Sequence, residues 1–306
     1  MISTNQLAGS DFNTQVYQNT HDAAVALAAP FVTANQPNTV DEYSYVLYSA
    51  EEMKANFGIS DLLWQNGGPV LGFNTPNQNY VATTDCSGFV ARVLYATIPL
   101  GAKTNVYASL VTAANGTITN YQTPGHQQPF PSADDFAEWF ALGAKHNLEP
   151  VAYTITKNGQ LSRGGAFSAV KPGDILAYGL PAGSKDTGHV MIVDSVEKLQ
   201  RGVLNAAFWS TDLAEFIQSG LQFYAVTVFD SSNVAHHNDQ RGNGEPKPTG
   251  IGRGTVLVVA DEADTPIGFM FAAHDLLLQV QPITVSLPAS ATGTIGSLAV
   301  GRVVGA

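Results

Sequence analysis

Near Pro150 the spacing of apolar residues changes character, and no other feature restricts the fold of this chain as much. Upstream, apolar residues recur at helical spacing. Ala23, Ala24, Val25, Leu27 and Ala28 predict a helix that begins near His21 and ends near Pro30. Ser49-Ala50-Glu51-Glu52 has the form of a capping box, opening a second helix that stops at Gly58. Further helices are expected from Asp85, over residues 104–114, and from Ser132 through Phe136, Trp139, Phe140 and Leu142, ended by Gly143 or Asn147. Downstream the pattern is that of short strands, expected at 151–156, 175–178, 188–193, 223–229, 255–260 and 267–271. Helices first and strands afterwards imply an α+β chain with a mostly antiparallel sheet. Residues 64–82 and the polar, glycine-rich 231–254 are expected to be loops, and the small-residue tail after Pro282 an extra strand or a loose end.

The chemistry concentrates at Thr84-Asp85-Cys86-Ser87-Gly88-Phe89, which holds the only cysteine in 306 residues. Asp85 is a good N-cap, so Cys86 falls in the first helical turn, where backbone N–H groups and the helix dipole favour a thiolate. A lone cysteine is more often a small buried hydrophobe. Asp, Ser and Gly as neighbours at a helix start argue for a nucleophile instead.

Charge and composition exclude several other classes. The net charge of −11, with only 14 Lys and Arg, argues against nucleic acid and against anionic membrane surfaces. No apolar run reaches membrane-spanning length, and no basic segment followed by an apolar one opens the chain. The expectation is a protein without membrane insertion, either cytoplasmic or exported by a route that needs no such signal. One cysteine and the lack of His-Glu-x-x-His give no zinc motif. His236 and His237 read as a solvated pair in a polar loop, so neither a metal nor another cofactor is expected.

The Asp85-Cys86-Ser87-Gly88-Phe89 string resembles the nucleophile motif of the NlpC-type cysteine peptidases, a papain-like superfamily that includes cell-wall peptidases and amidases. The resemblance extends to Lys171-Pro172-Gly173-Asp174 before one strand and Gly188-His189-Val190 at the start of the next. It implies a papain-like α+β fold with N-terminal helices packed on the sheet, and insertions. The organisation that follows is a helical extension over 1–59, a catalytic core over 60–232 and a C-terminal extension over 233–306 of unassigned role. It also implies that Cys86 attacks a carbonyl, that His189 is the base, and that a polar residue on the next core strand orients the imidazole.

Asp230, at the end of the 223–229 strand, is the candidate for that third position. Asp194 is five residues from His189 on one strand, so alternation turns it to the opposite face. An inserted helix over 205–220 accounts for the long gap between His189 and Asp230. The oxyanion hole is expected from the Cys86 N–H and the preceding loop, with Tyr80, Trp64 and Ser87 as further candidates. The implied substrate is an amide or isopeptide bond in a small peptide or muropeptide, most often a peptidoglycan stem peptide, cleaved through a thioester. Alternatives are an acyltransferase on the same scaffold, or a non-catalytic peptide- or glycan-binding relative. The presence of both Cys86 and His189 argues against the last.

Overall fold

A computed structural model describes residues 16–32, 39–40, 61–62, 70–74, 79–103, 106–107, 131–141, 148–184, 186–200, 220–232, 234–240, 250–271, 277–283 and 292–304. The second expected helix, Trp64 and the expected 205–220 insertion lie outside these residues. So does most of the 104–114 helix, of which Val106 and Tyr107 are described as helical.

Three helices are present among the described residues: α1 (Thr20–Val32), α2 (Cys86–Ala96) and α3 (Ala133–Ala141). The first continues two residues past Pro30. The third opens as expected, because Ser132 and Asp135 cap each other. The Asp135 N–H donates to Ser132 Oγ at 3.1 Å, and the Ser132 N–H donates to Asp135 Oδ2 at 2.8 Å.

The expected papain-like α+β arrangement is not the one the chain adopts. Strand makes up 48% of the described residues, and the fold is largely β, built on a curled, mixed ten-stranded sheet. A small sheet comprises β1 (Thr39–Val40), β2 (Asp61–Leu62), β3 (Val70–Asn74) and β4 (Asn79–Thr83), in the order β1-β4-β3-β2. The large sheet takes β5 (Leu148–Lys157), β6 (Gln160–Gly165), β7 (Ile175–Gly179), β8 (Gly188–Leu199), β9 (Gln222–Ser232), β10 (Gly250–Ala260), β11 (Pro266–Met270), β12 (Leu277–Val280), β13 (Thr292–Ile295) and β14 (Ser297–Val303). Its order is β13-β12-β11-β10-β9-β8-β7-β14-β5-β6, antiparallel throughout except for the β12–β13 pair.

The departure has an identifiable cause. Residues 70–74, 79–82 and 250–254 read as loop because glycine, proline and asparagine recur in and around them, yet each is paired into a ladder. The tail after Pro282 is no loose end, since β14 is inserted between β7 and β5 and pairs with both. Such pairings are non-local and leave little trace in local spacing. No helix among the described residues is long and apolar enough to cross a membrane.

Strand alternation divides the core in two. Ile175, Ala177, Val190, Ile192, Phe229 and Ala299 face the three helices and pack with Cys86, Phe89, Val90 and Phe136. Leu176, Tyr178, Met191, Val193, Val228 and Val300 face the other way, into the concave side. The curl is visible there. Phe269 of β11 stacks on Tyr178 of β7, ring centroids 5.0 Å apart, although β10, β9 and β8 lie between those strands in the sheet order.

A fork on a buried carboxylate ties β14 to the start of β7. Arg302 of β14 donates from Nε to Asp174 Oδ1 at 2.7 Å and from a terminal nitrogen to Asp174 Oδ2 at 2.8 Å. Asp174, at the turn into β7, is 1% exposed. Removing one member of a buried pair strands the other, at a cost of about 3–5 kcal/mol. Arg302→Ala is therefore expected to lower stability by about 3 kcal/mol in urea unfolding. Asp174→Asn combined with Arg302→Ala should recover part of that loss.

Asp134 supplies a pH-dependent term. Burial, then the charges of Glu138 and Asp135, push its carboxyl up from 3.8 to about 6, against the opposing pull of Lys157. The folded state thus holds the proton more tightly than the unfolded chain, and stability falls as pH rises through that window. Asp134→Asn should flatten this dependence and melt above wild type at pH values beyond about 6, as read by melting temperature against pH.

Candidate active site

Cys86 opens α2 because Asp85 holds the cap. The Gly88 N–H donates to Asp85 Oδ1 at 2.7 Å, and Ser87 Oγ donates to Asp85 Oδ2 at 3.3 Å. The sulfur lies 3.9 Å from Ser87 Oγ, and Cys86 as a residue is 7% exposed. Ser87 is thus committed to the cap region. Tyr80 lies in β4, whose backbone alone is described, and the position of its hydroxyl is outside the described residues, as is Trp64.

His189 is the second residue of β8. Gly188 before it has φ +120°, and a Cβ there would stand 2.0 Å from the Tyr178 carbonyl oxygen. Glycine is therefore required for β8 to start beside β7 at this point. By alternation His189 shares the concave face with Met191. Its ring lies 6.4 Å from that of Tyr178 and 5.2 Å from that of Phe271.

Asp230 faces the same way as Val228 and is completely buried. His189 Nε2 and Asp230 Oδ2 are 2.6 Å apart. A carboxylate accepts, so the pair selects the Nε2–H tautomer of His189 and leaves the lone pair on Nδ1. Asp194 goes elsewhere. It sits at a bulge in β8, receives Arg253 at 2.6 and 2.9 Å, and lies 2.9 Å from His21 Nε2. That network fastens α1 to the sheet.

One residue of the cluster was misread from sequence. His236, expected in a solvated loop, is 5% exposed, and its Nε2 lies 3.0 Å from the same Asp230 Oδ2. Residues 236–240 hydrogen-bond along β10 beyond the end of its ladder with β11. His237 exchanges N–H···O bonds with Thr255, and the Gln240 N–H donates to the Arg253 carbonyl. A Cβ on Gly254 would stand 2.4 Å from His236 Cβ, so glycine makes the room that the imidazole fills. The glycine-rich 250–254 run, combined with a His-His-Asn-Asp loop just upstream, was the available signal. His237 itself is half-buried and not part of the cluster.

Cys86 and the histidine–aspartate group approach one rim of the sheet from opposite faces. Val190 and Phe229, the neighbours of His189 and Asp230, pack with Cys86 on the helical side. The two faces are linked where Ser231 Oγ donates to the Thr84 carbonyl at 2.7 Å, joining the residue after Asp230 to the lead-in of α2. Among the described residues, Cys86 and His189 share no hydrogen bond.

Compared with known proteins, the chain matches no family model, no curated protein and no solved structure. The site must be interpreted from its own chemistry.

Gly254→Val is expected to displace His236 while the β9–β10 ladder persists. Histidine ring resonances in NMR spectra should show one imidazole altered. Overpacking should cost about 1–3 kcal/mol in unfolding.

Proposed function

We propose that the protein is a cysteine hydrolase that cleaves an amide or isopeptide bond in a small peptide, with a peptidoglycan stem peptide as the substrate class. The observation that carries this reading is the buried His189–Asp230 pair at 2.6 Å, fastened through Ser231 to the start of the Cys86 helix. The resemblance of the Asp-Cys-Ser-Gly-Phe and Gly-His-Val strings to NlpC-type peptidases supports the substrate class. The reading rests on those local motifs and not on a papain-like fold.

In this mechanism His189 Nδ1 takes the Cys86 proton, and the thiolate sulfur attacks the substrate carbonyl carbon. The C–N bond breaks, the leaving amine takes the proton back from His189, and a thioester remains on Cys86. Water, deprotonated by the same nitrogen, then attacks the thioester. It releases the carboxylate product and restores the thiol. The helix start favours the thiolate, and the Cys86 backbone N–H faces the developing oxyanion. Asp230 orients His189 and stabilises the imidazolium that forms at each proton transfer. Cys86 and His189 stand on opposite faces at the rim of the sheet, so the proton transfer requires that the two side chains come within hydrogen-bond reach around that rim when substrate binds.

The test is incubation of the full chain with purified muropeptides, read by mass spectrometry, beside iodoacetamide labelling of Cys86 at several pH values. Cys86→Ala should fold and release no product. Labelling should stay fast near pH 6, below the ~8.5 of an ordinary thiol, and slow in His189→Ala. Asp230→Ala should lower kcat by about 100-fold with KM nearly unchanged. Asp194→Asn should leave kcat intact and reduce stability. Labelling that follows an ordinary thiol titration in the wild type would overturn the proposal.

A further inference from the structure

We propose that His189, Asp230 and His236 form a three-ligand site for a divalent transition-metal ion of the zinc class, and that metal there and base catalysis by His189 exclude one another. The metal site stands on its own geometry; only the exclusion rests on the function proposed above.

Each of the three residues presents one ligand atom, all within 4.8 Å of one another, and this is the only such group among the described residues. Both imidazoles aim Nε2 at one carboxylate oxygen, at 2.6 and 3.0 Å. Zinc bonds of about 2.0–2.1 Å in tetrahedral geometry separate neighbouring ligand atoms by about 3.3 Å. To admit the ion, the His189–Asp230 separation widens by about 0.7 Å and the His236–Asp230 separation by about 0.3 Å.

The tautomer of His236 points the same way. Its Nδ1 lies 2.8 Å from the Val234 carbonyl oxygen, which can only accept, so Nδ1 carries a proton. Asp239 Oδ2, 3.7 Å from the same nitrogen, favours that proton as well. This is the supporting contact that metal-bound histidines have, and it turns the Nε2 lone pair of a neutral ring toward Asp230. A bare Nε2 and a carboxylate oxygen at 3.0 Å are two acceptors face to face. A cation must lie between them, either a proton or a metal ion. Two histidines and one carboxylate are a donor set for zinc-class ions and leave a fourth position open. Phe271, with its ring 5.2 Å from both imidazoles, walls the site on one side.

Occupancy changes His189. With Asp230 as its partner, the ring carries its proton on Nε2 and offers Nδ1 as the base. A metal on Nε2 displaces that proton and leaves a neutral ring protonated on Nδ1. Such a ring cannot accept the Cys86 proton. Metal binding thus switches the tautomer and silences the thiol chemistry without touching the sulfur.

Titration of the metal-free full chain with Zn²⁺ by calorimetry, and with Co²⁺ by visible absorption, tests this. The expected result is one equivalent bound, with Co²⁺ bands of a nitrogen- and oxygen-ligated ion and no thiolate charge-transfer band. Cys86→Ala should bind equally well. His236→Ala, and His236→Gln as the gentler variant, should weaken binding by more than the ~100-fold that loss of a supporting contact alone can cost. Circular dichroism of both variants checks that they fold. One equivalent of Zn²⁺ should also slow iodoacetamide labelling of Cys86 at pH 6 to the rate of His189→Ala. Absence of stoichiometric binding to the wild type, or binding unchanged in a folded His236 variant, would overturn the site. Binding as expected with labelling unaffected would retain the metal site and overturn the exclusion. Binding as expected in a chain with no hydrolase activity would count against the catalytic reading alone.

Discussion

A carboxylate with no exposure to solvent is the constraint around which this end of the molecule is arranged. Asp230 lies on the concave face of the sheet, the face that carries Tyr178, Phe269 and Phe271, where an uncompensated charge would cost several kcal/mol. Compensation comes from two imidazoles supplied by different elements, His189 from the start of β8 and His236 from the loop after β9. Each depends on a glycine. Gly188 lets β8 begin against β7, and Gly254 opens the space that His236 fills. Strand pairing, the curl of the sheet and the course of residues 234–240 therefore all converge on one oxygen atom.

The two faces of the sheet have separate work. Its convex side carries the helices and a core of Phe89, Phe136, Val190 and Phe229, whereas the concave side carries the aromatic wall and the polar cluster. Alternation keeps these apart along most of each strand. At the rim they meet, because consecutive residues of β9 turn to opposite sides: Asp230 to the imidazoles and Ser231 to the Thr84 carbonyl. Cys86 on the helical side and His189 on the concave side are then linked through the Asp230–Ser231 peptide unit and the hydrogen bond from Ser231 to the Thr84 carbonyl.

What was legible in the sequence was local. Asp85 caps α2 and puts Cys86 in its first turn, Ser132 and Asp135 form a capping box, and each apolar run after Pro150 is a strand. Strand alternation also separated Asp230 from Asp194 correctly as a matter of direction. What was illegible depended on partners distant in the chain. Leu71 and Phe73 are set among glycine, proline and asparagine, and only pairing with β4 makes that segment a strand. Ser297–Val303 carries no sign that it will sit between β7 and β5. His236 reads as a solvated loop residue because nothing near it in sequence reveals that Gly254 leaves room for a ring. The fold class was misjudged for the same reason, since the missed strands are those whose local composition favours turns.

The histidine–aspartate group can hold its protons in few ways. Val234 fixes a proton on Nδ1 of His236, and Asp230 calls for a proton on Nε2 of His189. An ionised Asp230 with a neutral His189 then requires a second proton on His236, giving an ion pair wholly inside apolar surroundings. A protonated Asp230 requires instead that one imidazole accept. Either arrangement confines a proton between groups that are closer than an ordinary loop histidine would bring them. A dry aromatic wall strengthens each of these interactions, because little solvent is present to screen them. The same closeness that orients the His189 ring on Asp230 therefore also suits the cluster to any cation small enough to replace its protons. Proton acceptance at Nδ1 and metal ligation at Nε2 would draw on the same ring, and the nitrogen of His189 that carries the proton decides between them.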